Sequence, residues 1–316
     1  MKSLKIAATG IAVGALTLLW AAPATAAGNS IDPGDSLYAI SCDNDDANWQ
    51  LYGVESSTAV STPIGSGTPD ENESPCAGQA AYNPATGVSY YLQWTNELTV
   101  LASIDPATGV STPIDAFYWN NGEFPEYIDA DSLAIGGDGS AYILAEGSLF
   151  SVDLTSGIVE LVSNVLPAGI YAFAWDSVTD IFYGIASNNT VYEIDVEFGG
   201  TTVIGEIEFP VDDNEWRVYS LQFDEAGSLW IEVDQSNNAF FGATLWSLTL
   251  DTLGAPVYSG LINDGSPFYT ESLLILPGTP EPVLAATGVE AAPVVAGALG
   301  LVVLGGAALV LRRRAA

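Results

Sequence analysis

The stretch DPATGVSTPI (residues 105–114) decides the architecture, because it has four relatives along the chain. They are SSTAVSTPIG (56–65), DLTSGIVELV (153–162), DVEFGGTTVIG (195–205) and TLDTLGAPVYSG (249–260). Each reads as a strand end, a tight turn and another short strand, and Gly at the turn supplies the positive φ such turns need. A second element precedes each one: SLYAIS (36–41), VSYYLQW (88–94), SAYILA (140–145), DIFYGIA (180–186) and SLWIEV (228–233). These are short β-branched and aromatic runs, the composition of strands. A third element opens the later units: GQAAYNPATG (78–87), DSLAIGGDGS (131–140), YAFAWDSVTD (171–180) and YSLQFDEAGS (219–228). Four short strands recurring at a period of about 40–52 residues predict the blades of a β-propeller.

The ends of the repeat separate a propeller from a sandwich with strands of similar length. The first unit lacks its opening strand and starts directly at SLYAIS. The last repeat-like piece, ESLLIL (271–276), is an opening strand with nothing after it. Joined in one sheet they complete each other and leave no open edge. The expectation is an all-β, five-bladed β-propeller of four-stranded blades over residues 28–276, closed by strand 271–276 in the N-terminal blade. The repeat resembles bacterial extracellular repeat propellers with LYxID…TG… blade signatures. That resemblance covers most of residues 36–276 and bears on fold, since propellers host binding, hydrolysis and scaffolding alike.

The charge is distributed unevenly. The 316 residues hold 39 acidic and 6 basic side chains, no His and 2 Cys, with a formal net charge of −33. Lys2 and Lys5 sit at the N-terminus, Arg312, Arg313 and Arg314 at the C-terminus, and only Arg217 between them. Such a field repels nucleic acid and anionic lipid and attracts cations and basic partners. It also serves solubility alone. The absence of His removes Ser-His-Asp chemistry and ordinary zinc sites.

The two termini read as targeting segments. MKSLK, an apolar run and AAPATAA form a secretory signal peptide over residues 1–27. In an exported chain Cys42 and Cys76 are expected to form a disulfide. Its loop of roughly 35 residues contributes about 3–4 kcal/mol in the chain-entropy picture. A Pro-rich tether (277–283) leads to LAATG, an apolar span (291–311) and the three arginines. The span is long enough to cross a bilayer, and the arginines hold its end in the cytoplasm.

Residues 284–316 resemble the Leu-Pro-any-Thr-Gly sorting signal of Gram-positive surface proteins, read by Leu284, Ala285, Ala286, Thr287 and Gly288. Ala285 stands where Pro is usual, the form that class E sortases of high-GC actinobacteria prefer. The resemblance implies that a sortase cysteine attacks the Thr287 carbonyl and releases the chain from Gly288 onward. Thr287 is then joined to an amine of the peptidoglycan precursor. A plain C-terminal membrane anchor is the alternative. Without lysine between its processed ends, the chain can be neither a pilin shaft subunit nor a Lys–Asn isopeptide domain.

Loop lengths divide the propeller into two faces. The turns between first and second strands (NPATG, GGDGS, DSVTD, DEAGS) and between third and fourth strands are tight. The long insertions all fall on the other face, among them CDNDDANW (42–49), DAFYWNNGEFPEYIDA (115–130) and EIEFPVDDNEWRV (206–218). Function is expected on this elaborated face. Its aromatics, Trp49, Trp119 and Trp216 foremost, suit a glycan or basic-protein ligand, though about half of them are expected to pack under the loops. Aligned opening strands place Gly78, Asp131, Tyr171, Tyr219 and Glu271 at one level near the mouth of the axis. Two carboxylates and two phenols there could hold a cation or a small polar ligand, or line a merely hydrated channel. Asp43, Asp45 and Asp46 resemble a calcium loop in composition only, without the Gly and distal Glu of an EF-hand; no other cofactor is expected.

The reading is a wall-anchored, extracellular, non-enzymatic binding or scaffold propeller. The alternative is a glycosidase on the same fold, since five-bladed propellers include arabinanase-like enzymes that work with carboxylate pairs. The lack of His and of basic substrate-contacting residues points away from that family. The roughly ten residues from the end of the ring to Thr287 span near 30 Å, which favours a wall-embedded or wall-proximal role, with the elaborated face outward. Deleting residues 284–288 is expected to move the protein from the wall fraction to the membrane or the medium. Unchanged covalent wall linkage on cell fractionation would overturn the sorting reading.

Overall fold

The structure is a computed structural model that describes residues 31–42, 48–69, 76–94, 98–120, 125–167, 169–209, 216–235, 243–262 and 269–278. The signal peptide, Asp43, Asp45, Asp46 and the sorting signal lie outside the described residues, as do the side chains of Cys42, Cys76, Trp216 and Glu271.

The run Ser272 to Ile275 shows how the sequence makes the ring. Consecutive side chains of a strand point to opposite faces. Leu273 and Ile275 enter one core cluster and Leu274 enters another, all three buried. A strand covered on both faces therefore reads as an unbroken apolar run.

The first blade holds β1 (Ser36–Cys42), β2 (Asn48–Val54) and β3 (Ser61–Pro69). The second holds β4 (Cys76–Asn83), β5 (Val88–Trp94), β6 (Thr99–Asp105) and β7 (Val110–Ala116). Two short strands, β8 (Tyr118–Asn120) and β9 (Pro125–Tyr127), precede the third blade of β10 (Ser132–Ile135), β11 (Ala141–Ala145), β12 (Ser148–Val152) and β13 (Ile158–Ser163). The fourth is β14 (Ile170–Asp176), β15 (Ile181–Ala186), β16 (Thr190–Asp195) and β17 (Gly200–Glu206). The fifth is β18 (Trp216–Phe223), β19 (Leu229–Gln235), β20 (Thr244–Leu248) and β21 (Val257–Leu261). The last strand, β22 (Tyr269–Leu276), pairs antiparallel with β1, Ser36 opposite Leu276 and Leu37 opposite Ile275. The protein is thus a five-bladed β-propeller whose C-terminal strand completes the N-terminal blade.

Five apolar clusters fill the five gaps between neighbouring blades. Outer strands such as β17 face solvent on much of their length and are rich in Thr and Gly. Two local expectations need correction. The connection 115–130 is not a plain loop: β8 and β9 form a hairpin, and β8 runs parallel to β13, extending the third blade to six strands. Tyr118 and Trp119 pair with Ile158 and Val159 and so cover the outer edge of that blade. The turn at DTLG in the fifth blade is a 3₁₀ turn, Leu250–Thr252. Among the described residues no helix is long and apolar enough to cross a membrane.

The Asp-x-x-x-Gly turns carry a second load besides chain reversal. In the second blade the Asp105 carboxylate accepts from the Ala107 amide, and Gly109 N–H donates to the Asp105 carbonyl at 2.8 Å with φ at 70°. A methyl group on Gly109 would sit 2.5 Å from the Ile64 carbonyl oxygen of the first blade. Gly157 meets Ala116 of the second blade in the same way. In the second, third and fourth blades the repeat glycine is where the turn lies against the outer strand of the blade before it.

Two predictions follow from this frame. Gly87, in the tight turn after β4, shares the positive φ of 73°, but a methyl there would meet nothing closer than the Tyr82 hydroxyl at 3.8 Å. Gly87→Ala should cost about 1–2 kcal/mol, the left-handed backbone penalty. Gly109→Ala should add about 1–3 kcal/mol of overpacking to it; equal losses in denaturant unfolding would show that the turn contact carries no load. The second concerns Gln79, whose buried amide bridges three blades (below). Gln79→Leu should lower stability by about 4 kcal/mol, since orphaned buried partners cost ~1–3 kcal/mol each. A loss under about 1 kcal/mol would mean that water replaces the amide.

Candidate functional site

The five innermost strands, β22, β4, β10, β14 and β18, meet at the axis, each with one edge unpaired by its own sheet. Four of them carry an extra residue at the same level. Gly78 lies in the irregularity of β4, Tyr171 is the extra residue of β14, Tyr219 of β18 and Glu271 of β22. Such bulges bend the strand and re-aim the neighbouring groups. Gly78 is also a packing requirement, since a methyl there would come within 2.9 Å of Leu92 and 3.1 Å of Trp94.

The next residues inward form a polar belt. Gln79 is 1 % exposed; Ser132, Ser220 and Ser272 have no exposed surface. Gln79 Nε2 donates to the Phe173 carbonyl at 2.8 Å and to the Leu221 carbonyl at 2.7 Å. Its Oε1 accepts from the Ser132 hydroxyl and from the Phe173 amide. Phe173 N–H also donates to Ser132 Oγ at 3.0 Å. Ala80 N–H donates to Ser272 Oγ at 2.7 Å, and Leu273 N–H to Ser220 Oγ at 2.9 Å. These bonds connect all five blades across the axis.

Above the belt, the structure brings the aligned residues to one end of the axis. Tyr171 is half-buried and accepts from the Val218 amide at 3.1 Å, which ties the fourth blade to the fifth. Tyr219 is half-buried beside it in sequence level, on β18. Burial pushes the Asp131 carboxyl above its ordinary value; the Glu146 backbone amide works against this, and the Asp129 and Glu146 carboxylates add to it. Three acids therefore crowd the rim where the third blade meets the axis.

The tryptophans divide. Trp49 is 2 % exposed and stacks obliquely on Tyr91 at 5.7 Å, so it belongs to the core between the first two blades and not to a ligand surface. Phe117 is likewise fully buried. Trp119 is half-buried on β8, edge-on to Phe150 at 5.9 Å. Beside it Tyr127 is 62 % exposed. With Glu146, Ser148 and Asn164 they line a groove of about 210 Å³ under the hairpin on the elaborated face. The hairpin that builds this groove could have been suspected from NNGE between two aromatic pairs.

The opposite, trimmed face holds a cavity that the sequence does not signal. Below the belt the five inner strands diverge around about 290 Å³. Its wall includes Ala81, Leu133, Ala174, Phe223 and Ile275, one from each inner strand, with Trp175 and Tyr82 at the mouth. Asp35 and Glu225 stand on its rim, and Asp32 completes a trio of carboxylates within 4.8 Å of one another. Asp35 accepts from the Gly278 amide at 2.7 Å and the Glu225 amide at 3.0 Å. The chain leaves the ring on this face, as the strand direction requires.

No family model matches the sequence, and no curated protein matches it. Among solved structures, a chain of a nidogen/laminin complex aligns at 9 % identity over 77 % of this chain and 98 % of that one, with a TM-score of 0.49. TolB from Acinetobacter baumannii aligns at 12 % identity over 71 % of this chain and 52 % of its own, TM-score 0.43. A protein of unknown function from Bacteroides caccae aligns at 9 % identity over 76 % and 98 %, TM-score 0.45. The five-bladed assignment rests on the strand pairing of this chain.

Proposed function

We propose that the protein is a cell-surface propeller, joined to the wall through Thr287, that binds a glycan on its elaborated face. The observation that carries this is the groove of Trp119, Tyr127 and Glu146 beneath the β8–β9 hairpin. An exposed aromatic ring beside carboxylate and amide groups suits a sugar, which offers an apolar ring face and a rim of hydroxyls. The tether supports the orientation: Gly278 leaves beside Asp35 on the trimmed face, so attachment there turns the groove away from the anchor. The acidic surface fits a neutral or cationic ligand and disfavours an anionic one.

A hydrolase is the second reading, favoured by Asp131 alone. A carboxyl held above its ordinary value beside other carboxylates is the pattern of a general acid with its partner. Screening the purified protein on a glycan array should give hits that Tyr127→Ala weakens at least tenfold, the ordinary effect of removing an aromatic anchor. No hits would leave a scaffold role in place of binding. Release of reducing ends from a bound glycan, lost in Asp131→Asn, would replace the binding reading with the hydrolase.

A further inference from the structure

The trimmed-face cavity is built for an occupant of a different kind from the groove. Its wall is aliphatic and aromatic, and its two ends are acceptors. At the inner end stands Gln222, 8 % exposed. Its Nε2 is committed to the Ala80 carbonyl at 2.6 Å, while its Oε1 has no hydrogen-bond partner among the described residues. Gln222 lines the cavity, and an amide oxygen without a donor keeps its acceptor capacity for an occupant. At the outer end stand Asp35 and Glu225. Asp35 is fixed by two backbone amides, one on each oxygen, which leaves a second lone pair on each. Burial raises the Glu225 carboxyl above its ordinary value, and the Asp35 and Asp32 carboxylates push the same way. Asp224, which also lines the cavity, is not available: it accepts from Ala226, Ser228 and the Trp230 indole. Arg217, the one basic residue between the two termini of the sequence, lies near the start of β18, at the opposite end of that strand from Phe223.

We propose that this cavity binds a short aliphatic diamine. One ammonium sits between Asp35 and Glu225, the methylene chain lies along the apolar wall, and the far N–H donates to Gln222 Oε1. Charge complementarity selects the cation, the wall selects a hydrocarbon stem, and the two separated acceptors select a molecule with a donor at each end. A lysine side chain fits less well, because its single ammonium can serve only one end. The volume is on the order of ten water molecules, room for a diamine of about five or six carbons. The site goes beyond the glycan reading and lies on the opposite face from it.

The test is calorimetric titration of the full chain in nonionic detergent with 1,5-diaminopentane, pentylamine and pentane-1,5-diol. The diamine is expected to bind at least tenfold tighter than either control. Glu225→Gln, at an exposed turn where folding is not at stake, should weaken the diamine about tenfold and leave the diol unchanged. Glu197→Gln, an exposed acid elsewhere, should change nothing, and Tyr127→Ala should not matter, which separates this site from the groove. Equal weakening by Glu225→Gln and Glu197→Gln would show diffuse attraction to an acidic surface and overturn the proposal. So would absence of diamine binding, or a monoamine that binds as well as the diamine.

Discussion

Five strand edges converge on the axis of this ring, and the hydrogen bonds of Gln79 and its serine neighbours answer them. An inner strand of a blade pairs on one side only, so its other edge presents backbone amides and carbonyls to a space too narrow for a further strand. Here those groups are met by side chains at one level: the Phe173 and Leu221 carbonyls by the Gln79 amide, the Ala80 amide by Ser272, the Leu273 amide by Ser220. The bulges at Gly78, Tyr171, Tyr219 and Glu271 lie one residue before the belt and explain how strands of regular pleat can turn these groups toward one another. Two longer side chains also reach across, Gln79 and Gln222, the latter donating to the Ala80 carbonyl. Gln79 spans to two blades that are not its neighbours, which serines cannot do.

The belt also settles what the axis is for. Gln79 and three serines lie buried across it, between the two faces. The two faces become independent in chemistry. Above the belt, Asp131, Glu146 and the aromatic groove of the third blade form a continuous rim. Below it, five strands that splay apart toward the tight turns leave an apolar cup. The cup exists because the residues one turn beyond the belt are small or aliphatic, Ala81, Ala134 and Ala174 among them, and cannot fill the widening ring.

Much of the ring was legible because a propeller repeats its reasons. The missing first strand and the orphan ESLLIL predicted the closure that β22 makes with β1, and the aligned opening strands found the bulge level without any knowledge of bulges. What failed had one cause, that loop lengths say which face is elaborated but not how a loop packs. Trp49 was assigned to a loop and belongs to the core, because the strands run further toward the face than the apolar pattern suggests. The insertion 115–130, a long connection by its length, pairs with β13, since Tyr118 and Trp119 meet an outer edge that has no partner of its own. The cup was invisible for a different reason: its wall is made of buried residues such as Ala81, Leu133, Ala174 and Ile275, which are indistinguishable in sequence from core.

Asp35 connects the remaining parts. Its two oxygens hold the amide of Gly278, where the chain departs, and the amide of Glu225, in the first turn of the fifth blade. Gly34 and Gly278 lie so close that a methyl on Gly278 would come within 2.7 Å of the Gly34 backbone. The first and last described segments of the ring are therefore clamped at one carboxylate on the rim of the cup. Beside this clamp the β1–β22 ladder joins the same two segments, Ser36 opposite Leu276 through Cys42 opposite Tyr269. The same carboxylate stays half-exposed beside Glu225, which leaves the clamp of the ring and the polar rim of its cavity in one place.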